Sequence, residues 1–161
     1  MSMSVRLPKR LLLLVTSFIM GFALLLTPLL KAEASVSWGQ EVIEVGKRSI
    51  GTKFKWGGTS PKTGFDASGY TQYVFKTSAA KIHLPHSSSA QYKQGKTVKK
   101  SQLKQGDLVF FKTNGKNVSF VGIYDGNGKF IAATSSGVKY QSLNTKYWKD
   151  RYVGAKRVLK Y

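Results

Sequence analysis

The stretch DLVFFKTNGKNVSFVGIYDGNGKFIAATSSGVKYQSL, residues 107–143, decides the fold. Four short runs within it are β-branched or aromatic: DLVFFK (107–112), VSFVGIYD (118–125), KFIAAT (129–134) and VKYQSL (138–143). Thr113-Asn114-Gly115 and Asp125-Gly126-Asn127-Gly128 divide them with the residues that tight strand connections use. In the second run, alternation with period two sets Val118, Phe120, Gly122 and Tyr124 on one face. Ser119, Val121, Ile123 and Asp125 take the other. A fifth run, YVGAKRVL (152–159), follows, and together these read as an antiparallel meander.

Upstream the texture is helical. SWGQEVIEVGKRSI (37–50) reads as a helix with Val42, Ile43 and Ile50 on one side and Glu41, Glu44 and Lys47 on others. The stretch KFKWGGTSPKTG (53–64) is rich in Gly, Ser and Pro and reads as a loop. GFDASGY (64–70) then brings the chain onto a second helix: Gly64 permits a tight turn, Asp66 is a good N-cap, and no proline follows through Ala80. Tyr70, Tyr73, Val74 and Ala80 are candidates for its buried side, and HSSSAQYKQ (86–94) fits a short helix capped by a serine. Helices first and an antiparallel sheet second make an α+β domain, with no internal repeat and no low-complexity linker to a second one.

The first 34 residues read as a signal peptide. Arg6, Lys9 and Arg10 precede an apolar run from Leu11 to Leu30, and Ala32-Glu33-Ala34 has the small-x-small pattern of a cleavage site. The alternative is an uncleaved anchor, because the run is long enough to span a bilayer. Residues 35–161 then form one domain with 22 Lys and Arg against six Asp and Glu, a formal charge of +16. So lopsided a charge seeks polyanions. For an exported chain these are wall polymers and membrane surfaces, and nucleic acid is not expected. A small, lysine-rich exported domain suits a Gram-positive bacterium. The chain has no cysteine, which excludes a disulfide scaffold, cysteine-ligated zinc and thiol catalysis.

A family resemblance rests on seven blocks in order. They are Trp56-Gly57-Gly58, Asp66 to Gly69 (D-x-S-G), Leu84-Pro85, Gly106 to Phe111, Val121 to Tyr124, Gly126 to Ile131, and Tyr152 to Val158. The chain resembles the NlpC family of cell-wall cysteine peptidases, which cut peptidoglycan stem peptides. The resemblance covers about residues 40–160. It implies a papain-like fold, with N-terminal helices packed on a five- to six-stranded antiparallel sheet.

The family's chemistry needs a cysteine at a helix start, a histidine to take its proton, and a polar residue to orient that histidine. The resemblance puts the nucleophile at Ala67, the histidine at Phe120 and the orienting residue at Ala132, so all three are replaced. Hydrolysis by the family mechanism is therefore not expected, since loss of a nucleophile or base alone typically costs about 10⁶ in turnover.

The resemblance also implies that Asp66 and Ser68, which flank the nucleophile position, help hold the amino end of a stem peptide. Capping by itself also explains Asp66. Phe54 stands where the family has a tyrosine, Trp56 is a candidate cleft wall, and Ser119 adjoins the lost histidine. His86 falls where the family often carries an arginine. His83 and His86, three apart with no carboxylate close in sequence, make poor metal ligands, and no cofactor is implied.

The function expected is a secreted, inactive relative acting as a cell-wall binding module for stem peptide, anionic wall polymers or both. The alternatives are a protein-binding regulator of active cell-wall hydrolases and, behind it, a hydrolase rebuilt on Ser68 and His86. Stable membrane insertion after signal cleavage is not expected.

Overall fold

The computed structural model describes residues 37–160. The signal-peptide reading lies outside that range. Ser37 opens the first helix, α1 (Trp38–Lys47), by accepting a hydrogen bond from the Gln40 amide at 3.2 Å. Its apolar residues Val42, Ile43 and Val45 are buried. The helix stops before Ile50, which is 44% exposed rather than part of the buried side. The physical reason is Gly51, whose positive φ turns the chain so that its amide reaches the Val138 carbonyl.

The segment read as a loop contains a minimal hairpin, β1 (Thr59–Ser60) and β2 (Gly64–Phe65). Asp66 then caps α2 (Ala67–Thr77), the central helix, in which Tyr70, Val74 and Phe75 are fully buried. It ends earlier than expected because Ser78 turns extended, with its hydroxyl donating to the Phe75 carbonyl. Ala80 therefore lies past the helix and is only partly buried against the core. The short α3 (Ser88–Gln91) is capped by Ser87, as its serines suggest.

Six strands build one antiparallel sheet: β3 (Lys96–Val98), β4 (Leu108–Phe111), β5 (Phe120–Gly126), β6 (Lys129–Thr134), β7 (Gly137–Ser142) and β8 (Tyr152–Arg157). The order is β3-β8-β4-β5-β6-β7, so β4 to β7 form the meander and β8 returns to lie beside β4. A 3₁₀ turn (Lys100–Gln102) and the helix α4 (Lys146–Arg151) complete the domain. β3 and α4 have no clear sequence signal. The first is a three-residue strand in a lysine-rich stretch, and the second is six residues of mixed charge.

The sheet is covered on both faces. Val121, Ile123, Ile131 and Val138 face α1 and α2, while Phe111, Phe130, Ala132 and Trp148 form a second cluster on the opposite face. Phe120 and Tyr124 pack on that second side, in agreement with period-two alternation. Val118 does not share their face. It precedes the strand and packs against the first cluster instead. Asp107, just before β4, is fully buried and receives two 2.7 Å hydrogen bonds from the Arg157 guanidinium on β8.

Candidate functional site

A cleft of about 960 Å³ opens where the start of α2 meets one end of the sheet. That volume lies within the range of sites that take small ligands. The turn at 54–57, residues 66–68, the segment 86–89, the approach to β5, the β6–β7 hairpin and the start of α4 line it.

Asp66 organises the helix side. One carboxylate oxygen accepts from the Gly69 amide at 2.7 Å, which is the N-cap bond. The other accepts from the Gly57 amide at 3.0 Å and fixes the turn that carries Trp56. Ser68 Oγ donates to Asp66 Oδ1 at 3.2 Å, and His86 Nε2 lies 3.0 and 2.9 Å from the two oxygens. A carboxylate offers about four acceptor positions. Those of Asp66 are filled from within the chain. The pairing with His86 also brings a carboxylate to a histidine that looks isolated in sequence. Even so, no three His, Cys, Asp or Glu side chains come together as metal ligands among the described residues.

The turn itself depends on close approach. A Cβ on Gly69 would lie 2.0 Å from the Gly58 carbonyl oxygen, so the 56–58 turn sits directly on the helix backbone. Trp56 projects from this turn with 86% of its surface exposed, and Phe54 beside it is 37% exposed. Trp56 is thus a lip of the cleft and not a core residue.

Ala67 and Phe120 both line the cleft. Ala67 is the first residue of α2, where unpaired amides and the helix dipole favour an anion. Phe120 does not fill the space. Its ring packs on Trp148 at 4.9 Å between centroids and edge-on to Phe111 at 6.1 Å. Ala132 lies off the cleft, fully buried in the second cluster, and its neighbour Ala133 reaches the cleft instead.

Ser119 lines the cleft with its hydroxyl already engaged. It accepts from the Thr113 amide at 2.9 Å and the Asn114 amide at 3.3 Å, and it bonds the Thr113 hydroxyl at 2.8 Å. Ser68 and His86 share Asp66 as their partner. A serine hydrolase needs the order serine, histidine, carboxylate. Here the carboxylate stands between the other two.

Sequence reasoning missed the far wall. Lys139 and Gln141 of β7 and Tyr147 and Trp148 of α4 line it. Tyr147 is 49% exposed, and the Trp148 indole donates to Gln141 Oε1 at 2.7 Å. The signal available was the aromatic pair Tyr147-Trp148 in an otherwise charged stretch, NTKYWKDR.

Helices packed on a six-stranded antiparallel sheet, with a cleft at the N-terminus of the central helix, define the papain-like class. Within that class the chain belongs to the NlpC/P60 family, whose model matches residues 51–157. Over 117 residues it is 44% identical to the murein DD-endopeptidase MepH of Escherichia coli, covering 70% of this chain and 43% of that protein. The chain therefore spans less than half the length of this relative.

Among solved structures, an NlpC/P60 family protein from Bacillus cereus superposes with a TM-score of 0.70 at 36% identity, covering 76% of this chain and 40% of that one. RipD of Mycobacterium tuberculosis is described as a non-catalytic NlpC/p60 domain protein adapted to peptidoglycan binding. It matches with a TM-score of 0.64 at 28% identity, over 78% of this chain and all of that one.

Proposed function

We propose that this chain is a catalytically inactive NlpC/P60 protein that binds peptidoglycan through its cleft. The observation that carries the reading is a cleft of about 960 Å³ that persists although a methyl group, Ala67, occupies the helix start. The residues that build it hold one another: Asp66 pins both the helix and the Trp56 turn, and Phe120 is packed back against Trp148. A peptidase needs a nucleophile and a base within hydrogen-bond reach. The chain has no thiol, and the Ser68 hydroxyl is turned to Asp66. RipD, with the same fold and a binding role, supports the reading.

The proposed ligand is the stem peptide of peptidoglycan, seated between the Trp56 lip and the wall of Tyr147 and Trp148. The leader-like first 34 residues and the lysine-rich composition support export to a Gram-positive cell envelope.

The test is co-sedimentation of the protein with purified sacculi stripped of anionic polymers, at high salt, alongside assay for released peptides. Binding without release is expected, and Trp56→Ala is expected to weaken it by about tenfold, the loss of one good contact. Release of soluble peptides that stops in Ser68→Ala would replace this reading with a rebuilt hydrolase. No binding to stripped sacculi would point to a protein partner.

A further inference from the structure

Residues 67–106 contain seven lysines and no aspartate or glutamate. Lys93, Lys96, Lys99 and Lys100 are exposed on or beside β3, the terminal strand of the sheet. The β3–β8 register places Lys96 opposite Arg157 and Thr97 opposite Lys156. Two of these cations are held in place by uncharged groups. Lys156 Nζ donates to Thr97 Oγ1 at 2.9 Å and lies 5.1 Å from the centre of the Tyr92 ring. Lys100 Nζ lies 5.2 Å from the centre of the Tyr152 ring, whose phenol is pushed up to about 12 by burial and stays neutral. Such partners fix position without cancelling charge. The carboxylate beside this edge, Asp107, is fully buried and bonded to Arg157 and to the Lys104 amide.

We propose that this lysine edge, apart from the cleft, binds a linear phosphodiester polymer of the cell wall. The proposal rests on the envelope location argued above. Lysines spaced along an open edge act as point charges without the bidentate geometry that selects one compact anion, so repeating phosphates suit them best. Nucleic acid fits less well, because single-strand binders stack bases on open aromatic faces. Here the rings of Tyr92 and Tyr152 carry lysines above them. A lipid surface also fits less well, because none of the exposed large apolar side chains among the described residues belongs to β3 or β8, although Trp38 shares a groove with Gln94, Gly95 and Val158, which flank these strands.

The experiment measures binding of the exported chain, residues 35–161, to poly(glycerol phosphate) across a salt series. It compares K96Q/K99Q/K100Q with a control, K62Q/K76Q/K129Q, that removes the same charge from exposed lysines elsewhere. The edge variant should bind about tenfold more weakly and show a shallower salt slope, while the control changes by less than about twofold. Matching melting temperatures check that all variants fold. Equal loss in both variants would reduce the effect to net charge and overturn the proposal. So would tighter binding, at equal phosphate, to single-stranded RNA or to vesicles of one part phosphatidylglycerol and three parts phosphatidylcholine. Trp56→Ala should leave polymer binding unchanged; its loss there would place the polymer in the cleft and overturn the separate site, whatever becomes of stem-peptide binding.

Discussion

Asp66 is the residue through which the helix, the 56–58 turn and His86 are joined. Its four internal hydrogen bonds tie its carboxylate to the chain itself and hold in place the turn that carries Trp56. The N-cap bond alone contributes about 1 kcal/mol, and donors left without a partner cost about 1–3 kcal/mol when buried. Gly57 and His86 are both exposed, so water compensates them in part. Asp66→Ala should therefore lower stability by about 2 kcal/mol in urea unfolding. A loss below about 0.5 kcal/mol would show that the network adds nothing even to capping. Trp56→Ala, by contrast, should leave the unfolding midpoint unchanged, because 86% of that side chain is already in solvent.

At the scale of elements, β6 sets what a larger side chain at Ala132 would cost. Ala132 is fully buried in a cluster with Phe111, Phe130 and Trp148, whose rings pack 4.8 to 5.2 Å apart. A larger side chain in so dense a site typically costs 1–3 kcal/mol, and an unpartnered polar one costs more. Ala132→His is expected to destabilise the protein by about 3 kcal/mol, read from thermal and urea unfolding. Ala67→Cys should fold normally, since Ala67 borders the cleft. It should release no peptide from sacculi, because Phe120 supplies no base. Peptide release by Ala67→Cys alone would show that another group takes the proton.

At the scale of the whole domain, β8, the last strand among the described residues, joins β3 to β4. Arg157 near its end meets the fully buried Asp107 carboxylate through two 2.7 Å bonds. Removing one partner of a buried pair leaves an uncompensated charge, at a cost of about 3–5 kcal/mol. Arg157→Ala should lose stability in that range by urea unfolding and should weaken proteolytic resistance of the C-terminal strand. A loss below about 1 kcal/mol would mean that water reaches Asp107 once the guanidinium is gone.

Much of this protein was decided locally and was therefore legible. Period-two alternation through 120–124, the turn residues after Phe111 and Tyr124, and Asp66 ahead of a proline-free run each act within a few residues. They were enough to fix the meander, the capped helix and the α+β class. The methyl at Ala67 and the absence of any thiol are likewise facts of sequence. Tertiary structure decided what depends on distant partners. β3 is a strand only because β8 pairs with it, and Ile50 is exposed because Gly51 turns to β7.

Whether an aromatic ends in the core or on a lip also depends on what lies across the fold. Trp56 is held outward by Asp66, whereas Trp148 is drawn inward onto Phe120. His86 meets its carboxylate across twenty residues of chain, and Lys139, Tyr147 and Trp148 reach the cleft through the return of the sheet. Local sequence sets backbone preference over a turn or two, but a cleft is made by surfaces that meet only after the chain has closed on itself.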